Sequence, residues 1–543
     1  MSDSAAPSQI AGATSLTPKE QWQVLACVVF GLFMVILDQT VVNVAFPTIQ
    51  RQFTADVSAV SWILSLYTMT LGIAMPLSGF LADRFGHKQV FLSALGLFVT
   101  GSLLCALSPS LWMLIVARAV QGVGGGIALP IGTAMLFAAF PSHERGKAMG
   151  VFGIAMVVAP ALGPILGGWL VDAAHWRWIF LINVPIGVVG VLLGLRWLKA
   201  EIRRRAVPFD PVGVLFSSIG FGAALYAASI AADKGWAAMA VLIWFAVGAV
   251  SLTIFAVVEL KRSKEPLLDL RLFQSGVFTA AALTGYVSVV ALFGAEFLMP
   301  LYLQLMRSRT ALEAGILLLP MAIAAAIVTP FSGRLFDRIG ARPLAVLGFS
   351  ILAVNTWQLS KLTAGTTIHW IQFLLFIRGI ALGLTVQTTV LVSLSAVPLH
   401  MTARASALIN STRQVVQAVG VAVLATILSA AVAPDLTAAL AQYQTHAPIV
   451  QQLPDGSRWE LCNLPPFGAL AADGGSPVML GAPPRMPPQA LGMIHQFCGQ
   501  SIAGLARDYR VTFYASLLAV VLGAMLPGWP GKWTARRGAP GES

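Results

Sequence analysis

Five ionisable side chains stand inside long apolar runs of this sequence and bound the chemistry it can do: Asp38, Arg118, Glu296, Arg378 and Arg413. An acid surrounded by hydrocarbon is costly as a carboxylate, so Asp38 must be protonated or paired. Desolvation favours its neutral form and a neighbouring cation favours the charged one, and a group under both influences can take up and release a proton. Arg118, three residues before Gln121, would supply the cation and an amide beside it. Capping or hydrogen bonding of Asp38 at a helix irregularity is the plain structural alternative. Glu296 is read as the only other acid inside a span. There it would bind a proton or a cation, or snorkel to water from the end of its helix. Arg378 and Arg413 can be held by helix carbonyls as readily as they could serve a ligand.

The elements that position these groups follow from composition. Of 543 residues only 10% are charged and 57% are apolar, with a mean hydropathy of +0.80, against ~25% charged in soluble proteins. So little polar surface excludes a water-soluble globule and a disordered chain alike; the expectation is an all-α integral membrane protein. Apolar runs predict fourteen spans, near 22–46, 57–81, 89–108, 110–138, 147–171, 177–198, 211–232, 237–259, 276–302, 312–333, 342–360, 368–394, 406–432 and 511–528. The first is too long for a cleaved signal sequence and is expected to stay.

An even number of spans puts both termini on one side. That side carries 21 Lys and Arg and the opposite side 10, so the positive-inside rule places both termini in the cytoplasm. The same asymmetry gives the net charge of +12 a topological origin, and with no basic run longer than Arg203-Arg204-Arg205 nothing points to nucleic acid. On this topology Asp38 lies about 24 Å from the cytoplasmic start of its span, and Arg118 about 12 Å from the outer start of a span running the other way. In a core ~30 Å thick both fall in the outer half, where they can pair directly or through Gln121.

The chain also repeats itself. Gly79-Phe80-Leu81-Ala82-Asp83-Arg84-Phe85-Gly86-His87-Lys88 and Gly333-Arg334-Leu335-Phe336-Asp337-Arg338-Ile339-Gly340-Ala341-Arg342 share Gly, Leu, Asp, Arg and Gly at equal spacing, 254 positions apart. A charged turn is ordinarily just solvated, but its recurrence after a span in each half points to a gate. Two six-helix units with an extra pair between them give a 6 + 2 + 6 arrangement. Parallel repeats of this kind enclose a central site near the bilayer midplane in secondary transporters. Arg378 falls near the repeat position of Arg118, though 41 residues from its loop aspartate rather than 35. Gly122 with Gly126, and Gly163 with Gly167, are four apart, which lets backbones approach closely. Pro160 and Pro164 add bends, and both a moving seam and static packing fit.

Four motifs carry a resemblance. Leu37-Asp38-Gln39-Thr40-Val41-Val42-Asn43-Val44-Ala45-Phe46-Pro47 is similar to LDxTxVNVALP, with Phe46 for Leu. Gly79 to Lys88 matches a signature loop with His87 in place of the usual basic residue, and Arg118 to Gly124 resembles RxxQGxG. Ala159-Pro160-Ala161-Leu162-Gly163-Pro164-Ile165-Leu166-Gly167-Gly168 resembles an antiporter motif, with Ala159 where Gly is commoner. Together they resemble the major facilitator superfamily, in its fourteen-span drug:proton antiporter branch of the EmrB/QacA type. The resemblance implies the major facilitator fold and ion pairs at the Asp83-Arg84 and Asp337-Arg338 loops that form in one state and break in another. Arg413 looks like the arginine common in that family's thirteenth span; Glu296 has no counterpart. The resemblance also implies a partnership, common among relatives in two-membrane bacteria, with a periplasmic adaptor and an outer-membrane channel.

The expected organisation is a cytoplasmic tail (1–21), a six-helix bundle (22–200), two extra helices with flanking loops (201–270), five helices of a second bundle (271–432), an outer loop (433–509), and a last helix with a cytoplasmic tail (510–543). The loop carries ten prolines and eight glycines in 77 residues. It holds Cys462 and Cys498, a candidate disulfide in an oxidising compartment, and a stretch from Pro488 to Tyr509 that reads as an amphipathic helix on the outer surface. Asn43, Tyr67, Gln121 and Arg413 are the cavity candidates, with Trp62, Met75, Phe297, Tyr302 and Gln304 behind them. No P-loop, HExxH, nucleophile elbow or Cys/His metal cluster occurs in the sequence, which argues against ATP coupling, a metal site and an enzyme. The reading is proton-coupled export of amphipathic or cationic compounds across the inner membrane without a cofactor. An exporter dedicated to one metabolite, siderophore or lipid-like product is the alternative, and a membrane enzyme or receptor the remote one.

Overall fold

The computed structural model describes residues 16–173, 175–199, 210–261, 266–431, 462 and 488–528, and among them there is helix and no strand. The N-terminal helices are α1 (Pro18–Phe53), α2 (Val57–Phe85), α3 (His87–Leu107), α4 (Leu111–Ala139), α5 (Arg145–Ala173), α6 (Trp178–Leu181) and α7 (Asn183–Trp197). After them come α8 (Pro211–Lys234) and α9 (Met239–Lys261). The C-terminal helices are α10 (Gly276–Leu301), α11 (Ala311–Ile339), α12 (Ala341–Leu359), α13 (Ile368–Ser395), α14 (Thr402–Ala430) and α15 (Pro488–Ala524). Among the described residues, eleven helices are long and apolar enough to cross a membrane.

Local chemistry sets the ends of these rods. Thr17 and Glu20 form a reciprocal capping box with Pro18 in the first turn, and Thr310 and Glu313 form another, each closing two otherwise unpaired backbone donors. Asp210 accepts from the amides of Val212 and Gly213 at 3.1 and 2.9 Å, just before Pro211. Gly86 and Gly340 separate α2 from α3 and α11 from α12 at φ of 89° and 83°, a region open to glycine and costly for other residues. Both are glycines of the repeated loop.

Two seams join the halves. At one, α5 packs along α11; at the other, α2 packs along α14, and α8 lies over both α2 and α14 with α9 behind it. Trp62 of α2 stacks on Tyr226 of α8 at 5.7 Å and Trp236 donates to Thr426 of α14 at 2.9 Å. Trp62 therefore belongs to the seam with the extra pair of helices rather than to a central cavity.

The run at 177–198 forms α6 and α7, which continue through a helical Ile182 as one span, Trp178–Trp197. One element differs from the sequence expectation. The stretch from Pro488 is not a separate surface helix: it continues unbroken into the final helix, and Ile494, Cys498, Ser501, Leu505, Asp508, Thr512, Ser516 and Ala519 form its buried stripe. That three-and-four spacing turns one face to α10, α12 and α14, so burial continues well above the apolar segment. Cys462 and Cys498 are joined with their Cα atoms 5.4 Å apart.

Candidate functional site

Asp38 is fully buried in α1, and its carboxylate is held from two other helices. Arg118 of α4 donates through Nη1 to Oδ2 in a direct ion pair. Gln121, one turn on, donates through Nε2 to Oδ1 at 3.0 Å, and Asn183 of α7 donates to the same oxygen at 2.9 Å. Gln121 also accepts from Arg118 at 2.6 Å. Ser102 of α3 ties the periphery: its hydroxyl accepts from Gln121 and Asn183 at 3.1 Å each and donates to the Phe180 carbonyl at 3.0 Å. Arg118, Gln121, Asn183 and Ser102 are all 0% exposed.

The backbone makes room for this network. A side chain at Gly101 would come within 2.7 Å of the Gln121 amide nitrogen, so glycine there lets α4 approach α3 closely. Asn183 stands at the start of α7, where it reaches Asp38. The Tyr67 ring lies under the Arg118 guanidinium at 3.9 Å, with Phe180 at 5.7 Å, so the cation gains from both aromatic faces. Arg118 Nη2 and Asn183 Oδ1 have no hydrogen-bond partner. Three donors satisfy Asp38 as a carboxylate; protonating it would leave the buried Arg118 without its counter-charge, so the network cannot keep this arrangement across the change.

The repeated loops reach across the halves. Asp83, at the end of α2, pairs with Arg404 of α14 at 2.6 Å, both groups 11% exposed, and a side chain on Gly79 would meet the Arg404 backbone at 3.0 Å. Asp337, at the end of α11, accepts from the amides of Gly146 and Lys147 at 2.9 and 3.1 Å. It thereby caps the first turn of α5, where the helix dipole favours an anion. Gly146 and Gly333 face one another so closely that a Cβ on either would collide with the other's carbonyl. Both seams are thus clamped at one end of the molecule.

The remaining loop residues act locally. Arg84 lies over Phe80 and Phe85 at 6.0 and 5.5 Å, and Arg338 is exposed. Lys88 donates to the carbonyls of Leu195 and Leu198 at the end of α7, and Arg342, 254 positions later, donates to Leu526 after α15 at 2.8 Å. These two cations tie the last helix of each half to its loop instead of crossing between halves.

In the antiporter motif, Gly163 and Gly167 abut Thr40 and Val41 of α1, while a Cβ on Gly168 would meet Leu312 of α11 at 3.3 Å. A Cβ on Gly315 would in turn meet Pro164 at 3.1 Å. The motif seats α5 on the Asp38 helix and on the opposite half at once.

Other candidates lie apart. Asn43 is exposed on α1 and Arg413 is half-buried on α14. Met75 is core, Tyr302 is buried with its hydroxyl on the Thr363 carbonyl at 2.8 Å, and Gln304 is exposed. Glu296 and Phe297 fall on α10, with side chains outside the described set. Arg378, fully buried on α13, donates to Thr356 at 3.3 Å and to the carbonyls of Ala291 and Leu292 at 2.9 and 3.0 Å. Asn183, Ser102 and Arg404 were not singled out by sequence reasoning. Ser102 could have been found from the repeat, since Thr356 stands 254 positions after it.

A multi-pass helical frame whose halves meet along two seams, with an ion pair sealed inside one of them, defines a membrane transporter. The chain belongs to the Major Facilitator Superfamily, whose family profile matches residues 28–421. It is 35% identical to the MFS-type transporter YhcA of Bacillus subtilis over 75% of this chain and 77% of that one. It is 32% identical to the lincomycin resistance protein LmrB of Listeria monocytogenes over 75% and 86% of the two chains, and 32% identical to a multidrug resistance protein B homolog of Mycobacterium tuberculosis over 74% and 75%. The human organic anion transporter MFSD10 (TETRAN) has a similar fold, with a TM-score of 0.57 at 13% identity, covering 92% of this chain and 100% of that one.

Proposed function

We propose that this transporter is a drug:proton antiporter that exports amphipathic or cationic compounds by alternating access, with Asp38 as the proton carrier. The observation that carries the reading is the wholly buried Asp38 carboxylate, held by Arg118, Gln121 and Asn183. The resistance proteins among its relatives support a drug as cargo. In this scheme the clamped end faces the cytoplasm, and the arrangement described here is the one that awaits a proton from outside. Protonation of Asp38 frees Arg118, and the strain passes through Asn183 and Ser102 to α7 and α3 and through Thr40 and Val41 to α5. The Asp83–Arg404 and Asp337–α5 clamps then open to admit cargo, whose arrival expels the proton inward.

The same proposal assigns α10, α12 and α15 as spans alongside the eleven apolar helices, giving fourteen in a 6 + 2 + 6 order. It places both termini in the cytoplasm of an inner membrane, the disulfide outside, and the loop before α15 as the docking element for a periplasmic adaptor. Uptake of a lipophilic cation into inverted vesicles, with and without a pH gradient, tests the coupling. Gradient-driven uptake in the wild type that disappears in Asp38→Asn supports it; uptake indifferent to both gradient and substitution refutes it.

A further inference from the structure

The second half contains a buried acid that this coupling scheme does not use. Asp508 of α15 is 0% exposed, and neither of its carboxylate oxygens has a hydrogen-bond partner. The hydroxyl of the adjacent Tyr509, equally buried, has none either. An ionised carboxylate sealed in this way would carry a penalty of several kcal/mol with nothing to offset it. A protonated carboxyl is far cheaper to bury.

Among the described residues, the groups around it do not supply a counter-charge. On α10, the Tyr286 hydroxyl is engaged with Thr412 at 2.5 Å, and Glu296 has its side chain outside the described set. On α12, Arg342 is spent on Leu526 at the far end of α15. On α14, Arg404 is paired with Asp83, and Arg413 makes no hydrogen bond to Asp508. On α15 itself His495, Arg507, Arg510 and Tyr514 leave both Asp508 oxygens unmet. Arg378 and Tyr302 act on the neighbouring Tyr509, and neither makes a hydrogen bond to Asp508.

Position gives this acid a route to motion. It stands sixteen residues before the end of α15, about 24 Å at 1.5 Å per residue, against twenty residues, about 30 Å, for Asp38 from the start of α1. One turn earlier, Gly504 packs on Leu428 and Ala431 of α14, the helix whose other end carries the clamp residue Arg404. Three residues later, Val511 lines an apolar cleft of about 340 Å³ with Val290 of α10 and Val415, Val419 and Gly420 of α14. At 3.6 residues per turn, rotating α15 by about 60° would carry Asp508 to the bearing Val511 now holds. The cleft has no polar lining to receive a carboxylate, so discharge there needs water or a cationic cargo.

We propose that Asp508 is a second proton-binding site of the transporter, loaded in the conformation described here and unloaded when α14 and α15 shift. This rests on the antiport reading above, and the test separates the two. Purified full-length wild type, Asp508→Asn, Asp508→Leu and Asp38→Asn are compared by infrared difference spectroscopy across a pH titration and by cargo-driven proton flux in proteoliposomes. The expected result is a protonated-carboxyl band at neutral pH that both Asp508 variants remove and Asp38→Asn keeps. Protons moved per lipophilic cation should fall by about one in the Asp508 variants, while Asp508→Leu raises the Tm because an unpaired polar group has been removed. A band untouched by the Asp508 variants, or an unchanged proton-to-cargo ratio, overturns the proposal while leaving Asp38 coupling standing. Absence of cargo-linked proton flux in the wild type overturns both.

Discussion

Arg118 and Arg378 are both wholly buried arginines on the fourth helix of their half, yet they are neutralised differently. Arg118 meets a carboxylate on α1; Arg378 meets the carbonyls of Ala291 and Leu292 on α10. The frame around them is shared: Leu292 stands 254 positions after Asp38, Thr356 the same distance after Ser102, and Arg342 after Lys88. The first half thus has an acid where the second has Leu292 at the matching position. A leucine cannot take up a proton, whereas a carboxylate can. On the proposed antiport scheme, one scaffold, repeated, carries a proton-binding group at this position in one half and an apolar residue in the other.

Breaking each arginine separates these roles. Arg118→Met leaves Asp38 buried without its cation and should cost about 3–5 kcal/mol, whereas the double variant Asp38→Leu with Arg118→Met should regain most of that while abolishing coupling. Arg378→Met leaves the Ala291 and Leu292 carbonyls and the Thr356 hydroxyl without this donor and should cost about 1–3 kcal/mol. Thermal unfolding in detergent ranks them; equal losses at the two arginines would erase the distinction.

The two clamps offer a finer comparison. Asp83→Asn removes a charge from a half-buried ion pair, and Asp337→Ala removes the cap of α5, worth about 1 kcal/mol. With Ser332→Cys as a reporter buried behind the clamp, each variant should raise its maleimide labelling rate about fivefold, the population shift that 1 kcal/mol brings. A bulkier probe of the same contact is Gly146→Val, which should leave the α5–α11 seam open and transport lost. The smallest effects are expected where the halves agree. Lys88→Met and Arg342→Met each remove a cation from a helix C-terminus and should lower stability by about 0.3–1 kcal/mol, with transport retained.

Much of this was legible beforehand for physical reasons. Helical rise, together with the orientation given by the positive charges, put Asp38 and Arg118 in the same half of the membrane, and the structure joins them, with Gln121 one turn on bonded to both. Asn183 was invisible because a single small polar residue in an apolar helix carries no pattern, and Ser102 was legible only through its repeat partner Thr356. The loop repeat was plain, but its partners were not, since Arg404 and the amides of Gly146 and Lys147 lie on the opposite half, far away in sequence. Lys88 shared a motif with Asp83 yet serves the end of α7, because a long side chain reaches the nearest free carbonyls. The continuous α15 was hidden by its polar first turns, whose burial depends on neighbours that no local window contains.

The central claim is that cargo and proton compete through Asp38. Its most direct measurement is proton release on adding a lipophilic cation to the purified protein in weakly buffered detergent, followed with a pH-sensitive dye. The account predicts release in the wild type and a large reduction in Asp38→Asn with cargo binding retained; undiminished release from Asp38→Asn would contradict it.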